Sequence, residues 1–98
     1  MLNIQKTMEN GNLTCALKGR LDTTTAPELE KELKDLSNVN SLTLDFGALD
    51  YISSAGLRVL LAAHKVMVGK GGMKVTHVNE LVNEVFEVTG FADILTIE

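Results

Sequence analysis

Leu49-Asp50-Tyr51-Ile52-Ser53-Ser54-Ala55-Gly56-Leu57-Arg58-Val59-Leu60-Leu61 is the stretch whose reading decides the fold. Before it, Leu42, Leu44 and Phe46 alternate with Thr43 and Asp45, the period of a strand with one buried face. After it runs the longest helical pattern in the chain, expected over about 54–68. Leu57, Leu60, Leu61 and Met67 follow one line of that helix; Val59, Ala62, Ala63 and Val66 follow another. This is more apolar surface than one packing face needs, so the helix is expected to be the most buried, with Arg58 and Lys65 on its wet side. Two small hydroxyl residues stand at the strand-to-helix junction. Taken by chemistry alone, Ser53 and Ser54 read as helix N-caps. The same position, at the positive helix end with unpaired N–H groups, also tolerates an anion. A phosphate ester on either serine would leave the fold intact and change the surface charge sharply.

Working outward, Ile4 to Thr7 and Leu13 to Leu17 are extended runs around Asn10-Gly11, a strong short hairpin signal. Strands are expected at about 2–7 and 12–19. Gly19-Arg20-Leu21-Asp22-Thr23-Thr24-Thr25-Ala26-Pro27 then starts a helix over about 25–36, with Thr24 or Thr25 as cap and Pro27 in the first turn. Leu29, Leu33 and Leu36 form its narrow apolar stripe. A strand follows at 41–46. Beyond the central helix, Gly69-Lys70-Gly71-Gly72 reads as a helix stop, then a strand at about 72–78, a third helix at 80–89 and a last strand at 94–97. The order β β α β α β α β predicts an α/β class: a mostly parallel mixed sheet of about five strands with about three helices, possible on one side, in one domain over 1–98.

Composition narrows the function. Four aromatic residues, no tryptophan and a net charge of -4 argue against nucleic acid. No apolar run reaches membrane-spanning length, and the start of the chain shows no signal-peptide pattern, so a cytoplasmic protein without a membrane partner is expected. The single cysteine, Cys15, reads as a buried, inert thiol. His64 and His77 stand apart and offer no metal spacing with it; no calcium loop is present, and no metal or cofactor is expected. The glycine cluster around Lys70 follows a helix and precedes a strand, the reverse of a phosphate cradle. A serine hydrolase reading of Ser54 lacks the glycine two residues earlier and an evident His/Asp pair. These residues by themselves establish an α/β domain and no enzyme chemistry.

The segment 50–60 resembles the signature of the STAS family, which includes the bacterial anti-sigma factor antagonists: an apolar pair, Asp-Ser-Ser/Thr-Gly-Leu, then an apolar helix. Gly19-Arg20-Leu21-Asp22 is similar to the family's Gly-x-Leu-Asp element, and Val88-Thr89-Gly90-Phe91-Ala92-Asp93-Ile94 to its closing motif. The resemblance implies a STAS-like sandwich and a binding protein that is not an enzyme. It also implies that Ser54, with Ser53 as a secondary site, is phosphorylated by a partner that is both kinase and anti-sigma factor. The unphosphorylated form would bind that partner and release a sigma factor, and a phosphatase would reset the switch. Asp22, Thr23, Thr24, Ser53, Ser54, Ala55, Gly56, Leu57 and Arg58 are the expected partner-binding residues, on a monomer. Two positions depart from the signature: Ser53 replaces the acidic residue and Ala55 the second hydroxyl. The alternative is a non-switching adaptor subunit, for example of a lipid transporter or another signalling complex, in which Ser54 is only a cap.

Overall fold

The computed structural model describes residues 2–98, so the expected span of 1–98 is covered except for Met1, which lies outside the described residues. Strands β1 (Leu2–Glu9) and β2 (Asn12–Leu21) form the hairpin. Asn10 and Gly11 both take positive φ, 54° and 82°, as a two-residue turn of that twist requires. Helix α1 (Ala26–Glu32), strand β3 (Ser41–Ile52), helix α2 (Ser54–Met67), strand β4 (Met73–Thr76), helix α3 (Glu80–Thr89) and strand β5 (Thr96–Ile97) follow. The sheet runs β1-β2-β3-β4-β5, with β1 antiparallel and every other pairing parallel.

Because the strands are laid down in sequence order, right-handed crossovers put all three helices on one face. The burial pattern agrees. Leu13, Cys15 and Leu17 of β2, Leu42, Leu44 and Phe46 of β3, and Met73 and Val75 of β4 are buried against the helices. Phe86 of α3 meets Phe46 with ring centroids 6.3 Å apart. Thr7, Thr14, Thr43, Lys74 and Thr96, partners across the sheet, lie on the opposite face, which no helix covers.

Several boundaries differ from expectation. β3 does not stop at Phe46. Its pairing with β2 slips twice, between Ala16 and Lys18 and between Gly19 and Arg20, and each slip adds one residue on β3. The inward spacing therefore changes from two to three, through Phe46, Leu49 and Ile52, and the alternation that marks a strand disappears from the sequence. β2 also extends, to Leu21. α1 ends at Glu32 instead of 36, yet Leu33, Leu36 and Val39 stay buried. The non-helical carbonyls of this segment are satisfied by the Lys70 ammonium, which donates to Leu36 O, Ser37 O (3.2 Å) and Val39 O (2.9 Å). The glycine-cluster lysine is thus a clamp on the α1–β3 connection. Last, β4 ends before His77, whose φ is 59°, and the final strand begins at Thr96 and not at 94, after a 3₁₀ turn over Phe91–Asp93.

Candidate functional site

The rim at the carboxyl ends of β2 and β3 gathers most of the expected residues. Ser53 N–H donates to Leu21 O at 2.8 Å, tying the start of α2 to the end of β2. Ser53 is the N-cap: its Oγ accepts from Gly56 N–H at 3.4 Å. Ser54, one residue on, begins the helix and is exposed. The two serines therefore divide what the sequence leaves joined: one caps, the other points to solvent at the positive end of a fourteen-residue helix.

Gly56 explains how the helix comes so close. A Cβ there would lie 2.7 Å from Leu21 Cγ and 2.9 Å from Ile52 Cγ1, so only glycine allows this approach to the two strand ends. Gly56 and Leu57, both expected at the partner surface, are in fact buried, Leu57 at 6% exposure. They lie beneath the rim and not on its exposed surface.

The β2–α1 turn beside it is built on Asp22. Its Oδ1 accepts from Thr24 N–H (3.0 Å), Thr24 Oγ1 (2.7 Å) and Thr25 N–H (3.1 Å), with Thr25 Oγ1 3.2 Å away. The Thr24 hydroxyl, with the other donors, holds the carboxyl below its ordinary range. Thr25 occupies the N-cap position of α1 without capping through its side chain; its Oγ1 accepts from Asp22 N–H (2.8 Å) and donates to Arg20 O (2.7 Å). Thr25 is thus at the cap position expected, but α1 has no side-chain cap bond, and Asp22 orders the turn that precedes it. Arg20 lies 4.6 Å over the Tyr51 ring and 3.8 Å from Asp22 Oδ2.

A cleft of about 200 Å³ brings Thr23 together with Ala55 and Arg58, and its far wall is Ala26, Pro27 and Glu30 of α1. Sequence reasoning finds the first three and misses the α1 residues, since nothing in a linear reading says that α1 lies beside α2. Cys15 is fully buried, and burial pushes its thiol up to about 11. His77 Nδ1 sits 3.1 Å from Asp45 Oδ1, far from His64 in the sequence and joined by no cysteine; among the described residues no cluster of three metal-ligating side chains occurs. Among the same residues no helix is long and apolar enough to cross a membrane.

The fold and rim define a class: a small α/β domain with helices on one sheet face and an exposed serine at the central helix start. The family model described as "Mlab, STAS domain" matches residues 4–96, and the chain belongs to the STAS domain family. BtrV of Bordetella bronchiseptica, which carries the name of an anti-sigma factor antagonist, is 38% identical over 91 residues, covering 90% of this chain and 78% of its own. The crystal structure of an anti-sigma factor antagonist from Mycobacterium paratuberculosis superposes with a TM-score of 0.89 at 20% identity, covering 99% of this chain and 85% of that one. The Bacillus antagonist SpoIIAA is similar in its unphosphorylated form (TM-score 0.83, 17% identity, 98% and 88% of the chains) and in its phosphorylated form (0.76, 16%, 98% and 91%).

Proposed function

We propose that this chain is a cytoplasmic anti-sigma factor antagonist. It binds a kinase-type anti-sigma factor through the rim while Ser54 is unmodified, and so frees a sigma factor. Phosphorylation of Ser54 ends that binding: the γ-phosphoryl group of ATP passes to Ser54 Oγ, ADP leaves, and a base of the kinase takes the hydroxyl proton. A phosphatase returns the serine. The supporting observation is the exposure of Ser54 beside a serine that already serves as the cap. A phosphate there adds about -1.5 to -2 charges without removing a hydrogen bond that the fold uses. Its effect falls on the docking surface formed by Thr23, Thr24, Ala55 and Arg58, by repulsion and bulk. The names of relatives and the existence of SpoIIAA in two phosphorylation states point the same way.

Titrating a kinase-type anti-sigma factor with variants tests the reading. Ser54→Ala should bind as tightly as wild type, and Ser54→Asp at least about tenfold more weakly, in line with the cost of a misplaced charge at an interface. Equal affinities for the two would refute the switch. The second reading, an unswitched adaptor, is favoured by one observation: Ser53 stands where the signature carries an acidic residue. An adaptor would hold its partner with or without a charge at Ser54.

A further inference from the structure

The cleft beside Ser54 is one end of a longer groove. A second cavity of about 540 Å³ lies between α1 and α2 and shares Pro27, Glu30 and Val59 with the first. Its floor is apolar, and Val66 on its wall, in the last turn of α2, is 52% exposed. The charges on the walls are Lys31, Lys34 and Arg58 against a single carboxylate, Glu30. On a protein of net charge -4, this is a locally positive strip. Among the described residues the close ion pairs form elsewhere, at Lys6–Glu32, Arg20–Asp22, Lys74–Glu98 and His77–Asp45; Lys31 lies within the field of Glu32, and neither Lys34 nor Arg58 is in such a pair.

We propose that this groove docks an acidic amphipathic helix of the protein partner, an inference that rests on the reading of the chain as a partner-binding regulator. Three observations select that occupant. The apolar floor asks for an apolar ridge, and the cations on the walls ask for carboxylates beside it. Both walls are helical except for Leu33 and Lys34, which follow α1 and whose N–H groups bond back to Leu29 O and Lys31 O, so an extended peptide would gain few main-chain bonds, whereas a helix brings its own. The third is the link to the switch. Ser54 and Arg58 are four residues apart on α2 and therefore neighbours on its surface. A phosphate on Ser54 faces Arg58 and offsets the groove's excess of positive charge, so the phosphate and the acidic helix compete for the same field.

The test uses the whole chain, isotope-labelled, and a synthetic amphipathic helix carrying leucine on one face and glutamate on the other, with its lysine counterpart as control. The glutamate peptide should shift the amides lining the groove in α1 and α2, and the lysine peptide should not. Lys31→Glu combined with Lys34→Glu, both exposed and outside the core, should weaken the glutamate peptide at least tenfold with an otherwise native amide spectrum. The proposal is overturned if the two peptides bind alike, if the shifts fall on the threonine row of the open sheet face, or if neither binds. The same double variant against a kinase-type anti-sigma factor separates this inference from the switch. If Ser54 controls that binding while the double variant leaves it unchanged, the groove assignment fails and the switch stands. Charge-dependent peptide binding in a chain whose Ser54 is never phosphorylated is the reverse case.

Discussion

At the residue scale, the adjacent serines have separable physical roles. Ser53→Ala removes the cap of α2 and should cost about 1 kcal/mol, toward the lower end of cap values because the bond is long at 3.4 Å. For a domain of this size that is a fall of roughly 4–8 °C in Tm. Ser54→Ala, at an exposed position, should change stability by less than about 0.5 kcal/mol. Thermal melts of the two variants decide this, and a larger loss at Ser54 would reverse the assignment. Asp22 has its own signature. Its carboxyl is held below the ordinary value of 3.8 by the Thr24 hydroxyl and the other donors. A group whose folded pKa is depressed contributes stability above its unfolded pKa, and that contribution disappears as pH falls through the folded value. Asp22→Asn should therefore flatten part of the acid limb of stability below about pH 4 and leave its shape near neutrality unchanged. Glu32 and Asp35 are shifted in the same direction, by Lys6 and by Ser37, so the flattening is partial. Acid titrations of stability on wild type and Asp22→Asn measure it.

At the scale of elements, strong local chemistry made the reading succeed and tertiary partners made it slip. Asn10-Gly11 encodes its own turn, and Asn79 caps α3 through Val82 N–H at 2.8 Å, so both boundaries are legible in the sequence. The far half of β3 is not, because its two bulges replace an alternating pattern with a three-residue spacing that resembles neither strand nor helix. The end of α1 is hidden for another reason: the group that lets the helix stop is thirty-four residues from Leu36, in Lys70. Gly71 belongs to the same device, since a Cβ there would collide with Asn40 O. Lys70→Met should leave Ser37 O and Val39 O without this donor and Leu36 O with Val39 N–H alone, and cost about 1–3 kcal/mol. Amide exchange across residues 36–40 should accelerate more than exchange in the core strands. Uniform acceleration would mean that the clamp is not local.

At the scale of the molecule, sequential strand order leaves one sheet face covered and gathers the strand ends, the β2–α1 turn and the start of α2 at one rim. Asp22, Thr23, Ser53, Ser54, Ala55 and Arg58 were legible because they lie in two short segments that resemble family elements. Gly56 and Leu57 were read from the same segment as contacts, although both are buried, Gly56 close against Leu21 and Ile52. The groove was not legible at all. It exists only where α1 and α2 lie side by side, and its cations look like ordinary solvated charges in a linear reading. The proposed switch requires Ser54 to be a phosphoacceptor. The most direct measurement is the intact mass of the protein after incubation with a kinase-type anti-sigma factor and ATP, followed by mapping of the modified residue. One added phosphate on Ser54, absent from Ser54→Ala, is the predicted result. A stable complex with no added phosphate, or a phosphate mapping to Ser53 or the Asp22 turn, would contradict it.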